Sequence, residues 1–277
     1  MFDRLTDMGG RQPTRSSSSN LVDQVVMCRM KLAEKILSVV ALICAVSVFS
    51  PETNASVVVS GTRVVYNQSE SEVTVKLTNN GKLPGLTKVW LDKGDPDAKP
   101  DTIDVPFSIS PPIMRIDSGK SQTLRIMFTG EPLPADKETV FYLNVLEIPP
   151  KATGDEASAN QLQLAFRTRI KFFYRPNGLT PAEPAEAPGQ IVWHLKQDAK
   201  GASIEATNPT PYHVSFDRIQ VGEGANAPAF EQGGMVNPGE TKAFPLKGAV
   251  SGSDMKVVYT AINDYGGPQK GDAKLAP

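Results

Sequence analysis

The stretch QLQLAFRTRIKFFYR, residues 161–175, decides the fold class of this chain. Apolar and polar side chains alternate along its first half, and its second half is rich in aromatic residues, a pattern typical of a β-strand. It is the longest continuous β pattern in the sequence. We therefore expect a strand over residues 161–175, with Leu162, Leu164 and Phe166 on one of its two faces.

Shorter patterns of the same kind fill most of the chain on both sides of this stretch. They cover residues 57–66, 71–80, 86–95, 107–128 and 140–148 before it, and residues 190–198, 202–208, 213–221, 243–250 and 256–264 after it. No convincing helical pattern separates them. Many short strands divided by turn-forming residues indicate an all-β protein built from β-sandwiches. We expect the tail, residues 267–277, to be frayed.

A proline-rich segment divides the strands into two groups. Residues 177–189 carry three prolines and have the Ala/Glu/Pro composition of a linker. We therefore predict an N-terminal β-sandwich domain over residues 56–176 and a C-terminal one over residues 190–277.

The N-terminal region has the features of an export signal. Residues 36–49 form an apolar run of signal-peptide length, shorter than the roughly twenty residues that a membrane span needs. We predict a signal peptide over residues 30–55, cleaved after Ala55, and we interpret residues 1–29 as an over-extended start. An uncleaved membrane anchor is the alternative interpretation.

Charge and composition argue against several classes of function. The chain has 29 basic and 30 acidic residues, a net charge of −1, which gives no broad electrostatic attraction to nucleic acid or to an anionic membrane. Both cysteines, Cys28 and Cys44, lie in the N-terminal region, and the chain has only two histidines, His194 and His213. No nucleophile elbow, phosphate-binding loop or calcium loop is complete. We therefore expect a protein that is not an enzyme, with no metal, no cofactor and no small-molecule substrate.

Five segments carry a family resemblance. In chain order they are GTRVVY (61–66), FYLNVLEIPP (141–150), IKFFYRP (170–176), NPTPY (208–212) and INDYGG (262–267). Together they resemble the signatures of the periplasmic pilus (fimbrial) chaperones, the PapD-like family of the chaperone–usher pathway. The resemblance implies two immunoglobulin-like β-sandwich domains set at an angle around a cleft, a location in the periplasm, and a chaperone function.

The resemblance also implies a mode of action. Pilin subunits of this pathway lack the final strand of an immunoglobulin-like fold, and the apolar groove and open sheet edge that result promote aggregation. The chaperone lends a strand, which is donor-strand complementation, and delivers the subunit to the outer-membrane usher. Leu162, Leu164 and Phe166 match the donor positions, although their periodicity alone equally suits an ordinary core-facing strand. In the absence of a client, two copies of the protein could cover each other's apolar strand and form a self-capping homodimer.

A pair of basic residues matches the site at which the family holds the C-terminal carboxylate of the subunit. The pair is Arg63 and Lys171, which would make charge-assisted hydrogen bonds and fix the register of the added strand. Without the resemblance, both would be interpreted as solvated surface cations. Lys171 is odd-numbered and the donor residues are even-numbered, so a regular strand puts them on opposite faces. Either the subunit is gripped from two sides, or a bulge intervenes between residues 166 and 171.

The family also sets the angle between its domains with internal ion pairs. The matching residues are Glu138, Arg175 and Asp264, and the five donors of a guanidinium allow it to serve two carboxylates. Because isolated exposed ion pairs stabilise a protein by less than about 1 kcal/mol, we expect this network to orient the domains more than to stabilise them.

A secreted two-domain immunoglobulin-like adhesin or fibre component is the alternative function. Such a protein would have the same β-sandwiches. A fibre subunit is expected to carry its own alternating donor segment at the N-terminus, and no such segment precedes Ser56 in the predicted mature chain. The sequence therefore favours the chaperone.

Overall fold

The computed structural model describes residues 56–150, 163–179, 183–198, 201–224, 226–250 and 256–277. These residues form seventeen β-strands and three short 3₁₀-helices, which are Pro100–Thr102, Glu183–Ala185 and Ala187–Gln190. Within these ranges, no helix is long and apolar enough to cross a membrane. The structure confirms the prediction of an all-β protein.

The first β-sandwich consists of two sheets. Its strands are β1 (Val57–Val59), β2 (Arg63–Asn67), β3 (Val73–Asn79), β4 (Gly85–Asp92), β5 (Phe107–Ser110), β6 (Ile113–Ile116), β7 (Ser121–Phe128), β8 (Thr139–Ile148) and β9 (Phe166–Arg175). One sheet has the order β1-β3-β7-β5 and the other the order β2-β9-β8-β4-β6. Strands β2 and β9 run parallel to each other, whereas the other neighbours in both sheets are antiparallel.

Alternating apolar side chains from both sheets fill the first core. Leu77 of β3, Leu124 of β7 and Phe172 of β9 are completely buried. The ring of Phe107 packs edge-on against that of Phe172, with their centroids 5.0 Å apart. Because side chains alternate along a strand, burying Phe172 holds its neighbour Lys171 on the outer surface of the sheet.

The second β-sandwich is also built from two sheets. Its strands are β10 (Val192–Asp198), β11 (Gly201–Thr207), β12 (Val214–Val221), β13 (Ala229–Phe230), β14 (Gly234–Val236), β15 (Thr241–Pro245), β16 (Lys256–Ile262) and β17 (Pro268–Lys274). One sheet has the order β10-β11-β15, and the other has the order β13-β12-β16-β17 with β14 also paired to β12. Trp193, Phe216 and Tyr259 form the centre of its core, with ring centroids 5.3 Å apart for Trp193 and Phe216.

The segment that the composition suggests as a linker packs in part against the second sandwich. Its residues 183–190 form two of the 3₁₀-helices. Ala187 and the following Ile191 are buried in the second core. The proline-rich composition therefore does not predict the short structured stretch at the start of the second sandwich.

The C-terminal tail differs from the prediction. Residues 268–274 form β17, which pairs along its whole length with β16. Gly271 lies opposite Tyr259, where any side chain would collide with the tyrosine ring. The prediction of a frayed tail was wrong because an edge strand pairs through its backbone and needs few apolar side chains. The hydrophobic pattern does not predict the short strands β13 and β14 either.

Strand β9 is shorter than the predicted strand over residues 161–175. It begins at Phe166, and residues 163–165 have no regular secondary structure. Its neighbour β8 ends at Ile148, and the two prolines that follow have no backbone N–H with which to continue the pairing. Leu162 lies outside the described residues.

Candidate functional site

Strand β9 presents two chemically different faces. Its pairing with β8 runs without a register shift from Phe166 to Tyr174. Phe166 therefore shares the core-facing side of the strand, whereas Lys171 and Arg175 lie on the outer side. The described strand has no bulge between residues 166 and 171, so the apolar and the cationic residues occupy opposite faces.

The apolar face of this segment changes from buried to exposed along its length. Ile170 and Phe172 are buried, whereas Phe166 is 42% exposed and Leu164 is 54% exposed. Leu164 precedes the first paired residue of β9, beyond the end of β8. The core of the first sandwich thus ends before this apolar row does, and two large apolar side chains are left in contact with solvent.

Arg169 fixes the middle of β9 from its outer face. Its guanidinium makes a bidentate ion pair with Asp92, with Nη2 to Oδ1 and Nε to Oδ2 distances of 2.6 and 2.9 Å. The guanidinium also stacks on the ring of Tyr142, 3.7 Å from the ring centroid. Asn144 donates a further hydrogen bond to Asp92. This cluster ties β9 to β4 through Asp92 and to β8 through Tyr142, between the exposed apolar residues and the cationic residues of β9.

Arg63 and Lys171 lie side by side on the parallel strands β2 and β9. Their Cα atoms are direct partners in the register of the two strands. Each contacts the second sandwich: Arg63 Nη1 donates to the carbonyl of Ile262 at 2.9 Å, and Lys171 Nζ donates to Ser215 Oγ at 2.9 Å. Among the described residues, no carboxylate forms an ion pair with either cation.

The surroundings of this pair disfavour positive charge. Burial lowers the pKa of Lys171 to about 8, and the nearby charges of Arg63 and Lys242 act in the same direction. Burial also lowers the pKa of Arg63, although the carboxylates of Asp264 and Glu138 oppose this effect. An anion that entered here would therefore relieve an unfavourable electrostatic arrangement.

Arg175, four residues further along the same face of β9, has a complete set of partners. Its Nη2 lies 2.6 Å from Glu138 Oε1, and its Nη1 lies 2.9 Å from Asp264 Oδ2. The Arg175 side chain is only 6% exposed. The hydrogen bonds and charges of both carboxylates raise the pKa of Arg175 although burial opposes its charge. The structure thus brings together the three residues of the expected ion-pair network.

Glu138 connects the first sandwich to the second through its other oxygen. Its Oε2 accepts a hydrogen bond from the backbone N–H of His213 at 2.8 Å and lies 3.2 Å from His213 Nδ1. Burial favours the neutral acid, but the hydrogen bonds from His213 and the charge of Arg175 hold the pKa of Glu138 below its usual range. The carboxylate therefore remains ionised between the two sandwiches.

The motif NPTPY forms the loop that meets Glu138. The side-chain amide of Asn208 donates to the carbonyl of Tyr212 at 2.7 Å, and its oxygen accepts from Thr210. These bonds fold the loop so that the Pro211 carbonyl accepts the backbone N–H of Glu138 at 2.9 Å. The motif therefore builds one side of the contact between the sandwiches.

The motif INDYGG forms the turn that carries Asp264 to Arg175. Asn263 Oδ1 accepts the backbone N–H groups of Tyr265 and Gly267. Gly266 has a positive φ of 80°, and a side chain at this position would collide with Thr62 of the first sandwich. A glycine is thus required both by the turn and by the close approach of the other sandwich.

Several residues of this region are not identified by the sequence analysis. They are Ser215, Lys242, Tyr142 and the carbonyl of Ile262, which surround Lys171 or Arg63. Ser215 follows the NPTPY motif by three residues and Ile262 begins INDYGG, so proximity to the two motifs is the signal that could have found them. Tyr142 lies in the segment FYLNVLEIPP and is the direct partner of Lys171 across β8 and β9, so the same signal applies to it. Lys242 has no such signal, because only the tertiary fold brings it close.

The described part of the chain contains no cluster of three or more histidine, cysteine, aspartate or glutamate side chains that could hold a metal ion. Lys171 instead lines a cavity of about 450 Å³ together with a second cation, Lys242, and with the exposed carboxylate of Asp217. The arrangement is suited to binding an anionic group.

Two family models together match nearly all of the described chain. The model of the pili and flagellar-assembly chaperone PapD N-terminal domain matches residues 56–180. The model of the pili assembly chaperone PapD C-terminal domain matches residues 186–273. The order of the two matches is the order of the two β-sandwiches.

Individual relatives agree with these models. The chain is 43% identical to the chaperone protein FimB/FhaD of Bordetella pertussis over 231 residues, which cover 82% of this chain and 91% of the relative. It is also 43% identical to the probable fimbrial chaperone YadV of Escherichia coli, over 82% of this chain and 93% of YadV.

A solved structure extends the agreement to three dimensions. The crystal structure of the YadV chaperone superposes with a TM-score of 0.67 at 41% identity, over 80% of this chain and 100% of that one. These similarities favour a chaperone over the alternative of a fibre component. The chain belongs to the PapD-like family of pili assembly chaperones.

Proposed function

We propose that this protein is a periplasmic chaperone that stabilises pilin subunits by donor-strand complementation and delivers them to the outer-membrane usher. The relative YadV, at 43% identity, is named a probable fimbrial chaperone, which supports fimbrial subunits as its clients. The observation that carries the proposal is the exposure of Leu164 and Phe166 on the segment that leads into β9.

The exposed segment has the properties that a lent strand needs. On the N-terminal side of Phe166 the backbone is no longer paired with β8, so it can pair with the open edge of a client sheet. Leu164 and Phe166 are two residues apart, so both side chains can enter the same groove. Each is about half exposed, so complete burial would contribute up to roughly 1.5 kcal/mol per side chain, half of the value for a fully exposed one.

Arg63 and Lys171 would anchor the end of the client chain. A carboxylate next to these cations would gain charge-assisted hydrogen bonds and a favourable potential. Lys171 follows Phe166 by five residues, a separation of about 17 Å along a strand. Because the two sets of residues face opposite sides of β9, the client would be gripped from two sides. The carboxylate would then set the register in which the apolar residues enter the groove.

The ion pairs of Arg175 would hold the two sandwiches in the orientation that this grip requires. Arg175 and Glu138 belong to the first sandwich, and Asp264 and His213 belong to the second. Their buried hydrogen bonds give the contact a defined geometry. We therefore propose that this network has an orienting role.

The proposed mechanism needs no cofactor and no chemical step. The client is held by strand pairing, apolar contacts and charge, and a better-fitting strand from the next subunit can replace the lent one at the usher. The signal-like residues 30–55 are consistent with export to the periplasm, where these events would occur.

Capture of a fimbrial subunit tests the proposal. The chaperone is co-expressed with a subunit encoded beside its own gene, and the complex is purified from the periplasm. We expect Leu164→Glu to abolish capture, because a carboxylate cannot enter an apolar groove without loss of its hydration. Ile113→Glu is the matched control, since Ile113 of β6 is 55% exposed and Leu164 is 54% exposed. Normal capture by Leu164→Glu, or equal loss in both variants, would refute donation by this residue.

Self-association of the free protein can be measured with the same variants. Leu164 and Phe166 would also be covered if two chaperones paired their exposed segments, as in a self-capping homodimer. Sedimentation of the purified protein without client would then show a dimer that Leu164→Glu converts to a monomer. A monomer in the wild type would exclude this state at the concentration used.

A further inference from the structure

We propose that Lys242 of the second sandwich is a further cation of the client-carboxylate site, in addition to Arg63 and Lys171. This inference rests on the proposed function, since it assumes a client with a free C-terminal carboxylate. It assigns a binding role to the second sandwich, whereas the resemblance implies anchoring residues in the first sandwich alone.

The position of Lys242 in its strand is unusual for a lysine. On β15 it pairs with Ala206, and it shares the inward face with Phe244, two residues later. Both Ala206 and Phe244 are buried in the second core. Lysine at the inward face of a sandwich strand is unfavourable unless its ammonium reaches a polar region. Here the ammonium reaches the end of the sandwich, where it donates to the carbonyl of Met235 at 2.9 Å.

The cavity at this end of the second sandwich brings Lys242 together with Lys171. Both line the cavity of about 450 Å³, Lys171 from the first sandwich and Lys242 from the second. Arg63 does not line it, but Arg63 is the register partner of Lys171. Its Nη1 donates to the Ile262 carbonyl, and its Nε is buried without a hydrogen-bond partner among the described residues. A carboxylate that contacts Lys171 from the cavity would therefore lie in a space that Lys242 also borders.

Both ammonium groups have donors left for a ligand. Lys171 uses one of its three N–H donors on Ser215, and Lys242 uses one on Met235. Neither forms an ion pair with a carboxylate of the described residues. Asp217 is the acidic residue that lines the cavity, and it is exposed, so water screens its charge more than that of the half-buried Lys171.

A carboxylate that contacts cations of both sandwiches would have a mechanical consequence. Lys171 belongs to the first sandwich and Lys242 to the second, so charge-assisted hydrogen bonds to both would connect the two sandwiches through the end of the client. The bound client would then depend on the relative position of the sandwiches, which the Arg175 network defines. Client binding and sandwich orientation are coupled in this arrangement.

The test compares two forms of one peptide. The peptide has the sequence of the C-terminal strand of the fimbrial subunit, and it is synthesised with a free carboxylate or with a C-terminal amide. Affinities for the purified mature chaperone are measured by calorimetry. In the wild type, amidation should weaken binding about a hundredfold, because it removes charge-assisted hydrogen bonds to more than one cation. In Lys242→Gln the loss on amidation should fall to about tenfold.

Three further variants make the comparison specific. Gln at position 242 can still donate to the Met235 carbonyl, so the variant removes the charge while keeping that hydrogen bond. Lys242→Arg keeps the charge and should restore the difference between the two peptides. Lys270→Gln removes a lysine of the second sandwich that is exposed and does not line the cavity, and it should behave as the wild type. In Lys171→Gln the difference between the peptides should also shrink.

The outcomes separate this inference from the proposed function. If Lys242→Gln and Lys270→Gln both show the wild-type loss on amidation, Lys242 has no role in binding the carboxylate, and the proposed function stands without it. If the wild type binds the two forms equally well, the carboxylate anchor itself is refuted. If the wild type binds neither form and captures no subunit, both the inference and the proposed function are overturned.

Discussion

Two cations on the outer face of β9, Arg175 and Lys171, have opposite surroundings although they are four residues apart. Arg175 is buried and contacts two carboxylates, Glu138 and Asp264. Lys171 is also largely enclosed, but its bonded partner is the hydroxyl of Ser215. Arg175 thus belongs to a structural site in which the protein supplies the anions, whereas the site of Lys171 lacks an anion from the described residues. An enclosed cation without an anion is expected where a ligand supplies the anion.

Replacing Arg175 should have the largest effect on stability. Arg175→Met leaves Glu138 buried without its main counter-charge, and we expect the free energy of unfolding to fall by about 3–5 kcal/mol. Chemical denaturation measures this change. Lys171→Met is the comparison, because it removes a half-buried charge that has no carboxylate partner among the described residues, and it should leave stability unchanged or slightly raised. Equal destabilisation by both variants would contradict the distinction between the two cations.

Replacing Lys171 should have the larger effect on client binding. A hydrogen bond to a charged group contributes about 1.5–3 kcal/mol, so Lys171→Met should weaken client affinity about tenfold to a hundredfold. Calorimetry or surface plasmon resonance with the client peptide measures the affinity. Lys76→Met, at an exposed lysine on the other sheet of the first sandwich, is the control and should bind normally. Wild-type affinity in Lys171→Met would exclude Lys171 from the anchor.

The pKa of Lys171 predicts a pH dependence of the same binding step. Its pKa in the free protein is lowered to about 8, so the ammonium is present below pH 8 and is lost as the pH rises above it. A client carboxylate is ionised throughout this range and requires the protonated lysine. We therefore expect affinity to fall about tenfold between about pH 7 and pH 9, through linkage of binding to proton uptake.

Other charged and titratable groups near Lys171 can also contribute to the pH dependence of client affinity. Arg63, Lys242, Tyr142 and Asp217 lie around it, and Lys171→Met removes only the contribution of Lys171 itself. The pH dependence between pH 7 and pH 9 should disappear in this variant. If the variant kept the wild-type slope, another group would be responsible for it.

Replacing Ser215 should have the smallest effect. Ser215→Ala removes the hydroxyl that holds Lys171 in place, and a hydrogen bond of this kind contributes about 0.5–1.5 kcal/mol. Client affinity should fall about twofold to tenfold, since the lysine must be reoriented on binding. A change in stability with unchanged client affinity would assign Ser215 a purely structural role.

Much of the fold can be predicted from the sequence because strand periodicity directly reflects burial. The buried residues Leu77, Leu124 and Phe172 all lie in alternating stretches. The same rule cannot predict where the core ends. Leu164 and Phe172 belong to one alternating row, but only Phe172 is buried. The tail strand β17 is missed because its pairing depends on the backbone and on Gly271.

The candidate site was predictable where short motifs carry it. The resemblance groups Glu138, Arg175 and Asp264, and these residues lie within ion-pair distance. Ser215 and Lys242 are separated from Lys171 by long stretches of chain, and no periodicity relates them. Their role depends on which end of the second sandwich meets the first, which is a property of the tertiary structure.

The exposed position of Leu164 and Phe166 bears on whether the protein can be used repeatedly. Both side chains lie where β9 runs past its own core, so giving them to a client removes little from the packing of the first sandwich itself. Under the proposed function, withdrawal of the client would leave the same folded protein behind. Lending a strand from the interior would unfold the chaperone in every cycle, whereas lending this exposed segment would allow the chaperone to act repeatedly.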